Sequence, residues 1–348
     1  MASSLKQPPK TTVESGGCSA TISTVHQDIL QTHILTRLDG PALASTSCTS
    51  TELNSLSSQR SLWSNLCSST WPSTNSPRVR EIISSFPGGP RSFFSSCFPL
   101  IIHSNSINPS TASFPSEIIS AVDIHYKNEL IFSRVVETET ESSWFKCSPF
   151  RIDMLDPKDT CQTVIPRPQN EEDHFALADE LTLTWILIDP AGKRAMNLSS
   201  YKTVSVQRHW LSGEVHARFG LVLGGERRGG GGSSSSLQIV QCVILVTCGG
   251  GTQGGGMHVR EVSLQIEDMD GMFLNGKESL GILHCSFEGK KGIKGRMGEE
   301  GKRMHERFLE MKRERKERKL RTEGTLDILC VTFGVLVFAS LALLVFLK

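Results

Sequence analysis

The sequence predicts an α+β chain in four parts: an N-terminal trihelical module, a mainly antiparallel β-rich region, a basic helix and one C-terminal transmembrane helix. Three observations carry that prediction. Between Val25 and Cys67 apolar residues recur at helical spacing while helix breakers divide the stretch. Further on, short runs of β-branched and aromatic residues are bounded by Pro, Gly, Asp and Asn, as strands are. From Ile328 to Leu347 twenty residues pass without a charge.

Residues 1–20 are rich in Ser, Thr, Lys and Gly and lack an apolar signal core, so a disordered N-terminus outside the secretory route is expected. The module, residues 21–70, follows. Leu30, Ile34 and Leu38 stand at i, i+4 and i+8 with Ile29 and Leu35 beside them, which predicts one wide apolar stripe on a helix opening near Asp28. Asp39, Gly40 and Pro41 end it. Leu43 and Ala44 begin a second helix, Leu53 and Leu56 mark a third, and Leu62, Trp63 and Leu66 close the unit. So few residues bury little surface on their own, so the stripe is expected to need a partner.

These residues carry a resemblance. Asp28-Ile29-Leu30, Ile34-Leu35, Leu38, Leu43, Ser47-Cys48, Leu62-Trp63 and Leu66-Cys67 resemble the F-box in order and spacing. The family's usual Leu-Pro ahead of the Asp is replaced by Val25-His26, and because proline there only pre-sets φ, its loss should weaken docking slightly. Trp71-Pro72-Ser73, Phe86-Pro87, Phe93-Phe94 and Arg208 through Glu214 are similar to a group of plant F-box proteins. The resemblance implies a non-catalytic substrate receptor of a cullin-based ubiquitin ligase, holding a Skp-type linker and thereby a cullin. Contact with the linker is expected from Ile29, Leu30, Ile34, Leu35, Leu38, Pro41, Leu43, Leu53, Leu62 and Trp63.

Residues 71–288 are expected to form one β-rich target-recognition domain. Arg78 to Ser120 reads as a short helix and then loops; Ala121 to Tyr126, Leu130 to Val136, Trp144 to Leu155, Leu181 to Ile188 and Arg218 to Leu223 read as strands. Asp189-Pro190-Ala191-Gly192 reads as a turn. The Gly and Ser run at 224–236 is a flexible insertion, Leu237 to Cys248 is too short to span a bilayer and fits a buried strand, Val262, Leu264 and Ile266 mark a half-exposed strand, and Gly281 to Phe287 a last one. No period of twenty to fifty residues suggests a repeat architecture.

Residues 289–325 form the basic segment. Positions 302–321 hold ten Lys or Arg against four Glu, and Met304, Phe308 and Met311 give a short apolar stripe, so a long helix running toward the membrane is expected. Lys312, Arg313, Arg315, Lys316, Arg318, Lys319 and Arg321 are expected at the anionic cytosolic leaflet, each gaining about 1 kcal/mol there. With one aromatic, Phe308, the segment lacks a stacking platform for nucleic acid. At about 1.5 Å per residue the apolar stretch within 326–347 matches a hydrocarbon core of roughly 30 Å. It reads as a tail anchor that leaves the bulk of the chain in the cytosol, at the endoplasmic reticulum or an organelle outer membrane.

Composition narrows the chemistry. With 348 residues, 38% hydrophobic content and a net charge of +1, the chain is mostly globular and shows no global bias toward nucleic acid. Its ten cysteines are scattered without C-x-x-C pairs or matching histidines, which suggests neither a zinc site nor a disulfide framework and fits a reducing compartment. Gly276-Lys277-Glu278 puts a carboxylate where a phosphate loop needs a hydroxyl, and Asp268-Met269-Asp270-Gly271 lacks the later ligands of a calcium loop and reads as a hairpin turn. His209-Trp210, Cys242 and Cys248 form no ordered triad. No cofactor is expected. The partners expected are the linker and cullin, a protein target that the sequence does not name, and membrane lipids. A membrane-anchored scaffold or lipid-binding adaptor without a ligase is the alternative.

Overall fold

Short helices build the N-terminal part because small polar residues cap them one after another. The computed structural model describes residues 25–98, 100–103, 114–226, 237–250, 256–287, 289–292 and 297–347, so the expected disorder at 1–20 and most of the 224–236 insertion lie outside the described residues. The chain divides into two units, 1–62 and 63–348.

In the first unit, α1 (Gln27–Ile29) is followed by a π-turn (Leu30–Ile34) and a 3₁₀ turn (Leu35–Arg37), then α2 (Gly40–Thr46) and α3 (Thr51–Ser57). Asp39 caps α2 by accepting from the Ala42 N–H at 2.8 Å, and Ser50 caps α3 by accepting from the Leu53 N–H at 3.2 Å. Helix α4 (Arg60–Thr70) opens at the end of this unit. The regular helix expected from Asp28 is instead a sequence of three unlike turns. The Thr32 and Thr36 hydroxyls donate to the carbonyls four residues back, which loosens the ladder, and the Leu35 N–H reaches the Leu30 carbonyl five residues back.

The second unit continues with a 3₁₀ turn at Pro72–Asn75, α5 (Pro77–Ser85), α6 (Gly89–Cys97), β1 (Leu100–His103), β2 (Glu117–Tyr126), β3 (Glu129–Glu139), α7 (Ser143–Cys147), β4 (Arg151–Asp153), β5 (Cys161–Gln162) and α8 (Glu171–Glu180). Then come β6 (Leu181–Asp189), β7 (Arg194–Asn197), β8 (Tyr201–Lys202), β9 (Ser205–Arg208), β10 (Val215–Glu226), β11 (Leu237–Gly249), β12 (His258–Asp268), α9 (Gly276–Phe287), β13 (Lys290–Gly292) and α10 (Met297–Phe346).

The named strands pair antiparallel throughout. One sheet runs β4-β12-β11-β10-β9 with β5 also on β12; another runs β3-β2-β6-β7 with β8 on β6; β1 and β13 pair separately. Register explains the core. Phe219, Ile244, Leu264 and Ile152 stand opposite one another across four strands, and Val122 faces Trp185 as Ile124 faces Leu183 in the other sheet. Every second residue of both sheets thus enters one apolar cluster. The other face of β2 is also buried, at Ile119, Ala121 and Asp123. Beside it an aromatic cluster forms: Trp63 meets Phe94 edge-on at 5.5 Å, Trp71 meets Phe93 at 6.1 Å, and Phe86 meets Phe93 at 5.4 Å.

Several expectations are corrected. Trp144 to Leu155 is a strand only at Arg151–Asp153, because Ser142 caps a short helix at Ser143–Cys147 by accepting from the Phe145 N–H. Gly281 to Phe287 is helical: Asn275 accepts from the Glu278 N–H at 2.9 Å, and Leu280, Leu283 and Phe287 turn one face inward. Among the described residues, Arg78 to Ser120 holds most of α5, then α6, β1 and the start of β2, and Glu171–Glu180 is a helix opened by an Asn170 and Asp173 capping box. The turns at Asp189 to Gly192 and Asp268 to Gly271 form as expected; Asp189 accepts from the Gly192 N–H and Asp268 from the Asp270 N–H.

Helix α10 spans 50 residues, and its first part lies on β8 and β10 rather than running free toward a membrane. A Cβ at Gly301 would stand 3.0 Å from the Ser200 Cα, so glycine allows this close approach. Phe308 is fully buried, and the helix segment after it emerges from the sheet.

Candidate docking face and basic helix

The π-turn decides which N-terminal side chains are open to a partner. A bond five residues back advances the chain by a longer turn than an α-helix does, so Leu30 and Leu35 share the inner side and Ile34 moves outward. Ile29 and Ile34 are 49% and 44% exposed, Pro41 is exposed, and Leu38 and Leu53 are half-buried. Leu30, Leu35, Leu43, Leu62 and Trp63 are buried. Trp63 carries Arg91 over its ring as well as Phe94 at its edge, so it is a core residue of the second unit. His26, where the resembled family has proline, takes a capping role: its Nδ1 accepts from the Asp28 N–H at 3.3 Å. Gln27 donates to Glu52 at 2.9 Å and Gln31 to Gln59, which ties the segment to α3 and to the residues following it.

The basic helix divides into two stretches. Lys312 pairs with Glu267 near the end of β12 and Arg315 with Asp270 in the turn after it, at 2.8 Å, so two of the seven expected membrane-surface cations are engaged there. His305 hydrogen-bonds Gln241, and its burial, helped by nearby Arg218, holds its pKa below the usual 6.5. Arg313, Lys316, Arg318, Lys319 and Arg321 are exposed, Arg321 standing 3.9 Å from Glu317. Arg315 and Ile328 are thirteen positions apart on the helix, about 20 Å. Of the exposed cations, Arg318, Lys319 and Arg321 stand nearest the apolar stretch, about 15, 14 and 11 Å from Ile328 along the helix. The stretch itself is exposed all round and long and apolar enough to cross a membrane.

A third arrangement is structural. The Asp123 carboxylate, fully buried on β2, accepts from the Ser73 N–H at 2.9 Å, the Ser73 hydroxyl at 2.6 Å and the Ser133 hydroxyl at 2.7 Å. Burial raises its pKa while these bonds act the other way. Pro72 at the start of the 3₁₀ turn places Ser73 there, which gives Trp71-Pro72-Ser73 a physical reason. Burial also pushes the Cys242 and Cys248 thiols up to about 12, so neither is a ready nucleophile. Among the described residues no group of three His, Cys, Asp or Glu could hold a metal ion.

No protein-family model matches the chain, and no solved structure matches it. Three proteins of Arabidopsis thaliana do. A probable F-box protein is 49% identical over 98% of this chain and 97% of its own length. Two further F-box proteins are 42% identical over 92% of this chain and 45% identical over 91% of it, covering 95% and 88% of their own lengths.

Proposed function

Because this chain belongs to the plant F-box protein family, we propose that it is the substrate-recognition subunit of an SCF-type, cullin-RING ubiquitin ligase working at a membrane surface. The observation that carries the reading is the uncovered apolar face of the first unit. Ile29, Ile34 and Pro41, with the half-buried Leu38 and Leu53, are the side chains offered to a Skp-type linker, while Leu30, Leu35, Leu43 and Leu62 are buried. Apolar side chains at the centre of a docking face contribute most when a partner excludes water from them.

An adaptor of this kind needs no catalytic residue. Its contribution is proximity: a target lysine held beside the ubiquitin carrier reacts as if intramolecularly, which can supply about 7 kcal/mol or more of the barrier in well-oriented cases. The apolar part of α10 is what supports a membrane surface in this reading, with Arg318, Lys319 and Arg321 facing the headgroups of the cytosolic leaflet. The β-rich region is the part left to hold the target.

Co-purification from plant cells tests the reading. The intact chain brings down a Skp-type linker and a cullin, and a chain lacking residues 1–62 brings down neither. Membrane localisation without either partner would instead leave a membrane-anchored scaffold or lipid-binding adaptor.

A further inference from the structure

The β9 to β10 connection presents the most exposed aromatic side chain of the folded region. Trp210 is 87% exposed and Leu211 beside it 73%. Single exposed apolar residues are ordinary, but these two sit on a tip whose shape is fixed. The His209 N–H donates to the Glu214 carbonyl at 2.7 Å and the Gly213 N–H to the His209 carbonyl at 2.9 Å, closing the turn. Gly213 has φ +68°, a conformation glycine adopts without strain. Inside the loop the Ser212 N–H donates to His209 Nδ1 at 3.1 Å and the Ser212 hydroxyl donates to Glu214 at 3.0 Å. Glu214 is in turn held by Arg260 at 2.8 Å, and His209 stacks on His216 at 5.5 Å. These contacts hold the loop, and the Trp210 and Leu211 side chains are left exposed.

Two guanidinium groups stand at the tip. Arg167 and Arg208 line the same open cleft as Trp210 and Leu211, and among the described residues neither forms an ion pair. Among the described residues that line the cleft there is no carboxylate, and Glu214 just after it is paired with Arg260. A held Trp beside unpaired guanidinium groups has the Trp and Arg composition enriched in interface hot spots, with little entropy lost on docking and Arg able to bind carboxylates bidentately. The tip also stands apart from α10, which crosses the sheet at Gln241 and Glu267, whereas the tip lies beyond Val215 at the other end of β10.

We propose that the Arg208 to Gly213 tip is a target-docking epitope that takes an acidic protein segment, its carboxylates on Arg167 and Arg208 and its apolar side chains against Trp210 and Leu211. This deepens the reading of the β-rich region as the receptor part and rests on it.

The test uses the intact chain in nanodiscs of neutral phosphatidylcholine and an array of synthetic fifteen-residue peptides. One set alternates acidic with apolar residues, a second replaces the acids by Lys, and a third replaces the apolar residues by Ser. The expected result is binding to the first set alone, weakened at least tenfold by Trp210→Ser with Leu211→Ser, equally by Arg167→Glu with Arg208→Glu, and by raised salt. Unchanged melting temperatures of the variants show that the fold is intact. Equal binding of wild type and variants, or of the first and second sets, overturns the proposal. So does a chain ending at Thr325 that floats with anionic vesicles only when Trp210 is present, since the tip is then a lipid-inserting loop. Linker binding, measured on the same variants, stays at the wild-type level; its absence in the wild type would count against the ligase reading and leave the peptide result standing by itself.

Discussion

Ser73 gives both its backbone N–H and its hydroxyl to the carboxylate of Asp123, fifty residues further along the chain, and Ser133 adds a third donor to the same group. Three donors on one buried carboxylate fasten the turn after α4 to the middle of a central strand. Asp123→Ala leaves those donors without an acceptor and is expected to cost about 3 kcal/mol, the penalty for one or two unsatisfied buried groups. Asp123→Asn keeps one acceptor and should cost less than half as much. Urea unfolding of the chain in nanodiscs measures both.

The same carboxyl sets a pH dependence. Its folded pKa lies above the ordinary 3.8, so over a window opening near that value the folded chain binds the proton more tightly than the unfolded chain does. Its contribution to stability is therefore greatest below the window and falls as pH rises through it. Asp123→Asn should flatten that part of the stability profile, measured as unfolding midpoint against pH.

His305 acts in the opposite direction. Its folded pKa lies below 6.5, so the unfolded chain takes up the proton first as pH falls, and stability present above pH 6.5 is lost as pH falls through the folded value. His305→Gln should remove this slope while leaving the Asp123 slope in place, which the same pH series reads.

Phe308 is the fully buried large apolar side chain of α10, whose first part lies on β8 and β10. Phe308→Ala is expected to cost about 3 to 5 kcal/mol as a core truncation. Hydrogen exchange should then rise at residues 298–315 while the strand pair β2 and β6 stays protected. Lys312→Ala, which removes one partially screened pair with Glu267, should cost no more than about 1 kcal/mol in the same measurement.

How much of this was legible in the sequence depends on how local each signal was. Strands β2, β3, β6, β10, β11 and β12 showed themselves by apolar and β-branched runs, and the turn at Asp189 by its Pro and Gly. Helix α9 was misread because Gly281 to Phe287 is apolar enough for a strand, although Asn275 and Glu278 three residues apart were a helix-start signal. In the first unit the apolar residues were found, but a period of 3.6 placed Ile34 with Leu30, and the π-turn placed Leu35 there instead. No sequence period announces a π-turn. The Asp123 and Ser73 pairing was also invisible, since nothing local connects residues fifty positions apart. The basic helix was correctly read as helical, but its packing on the sheet depends on Glu267 and Asp270, which charge counting along 302–321 could not see.

The measurement that tests the central claim most directly is the affinity of the intact chain for a purified Skp-type linker, with wild type set against Ile29→Asp plus Ile34→Asp. Both side chains are open to solvent, so the variant should keep the wild-type melting temperature. The expected result is tight binding by the wild type and a loss of at least a hundredfold, about 2.7 kcal/mol or more, in the variant. A variant that binds as tightly as the wild type, or a wild type that ignores the linker, would contradict the account.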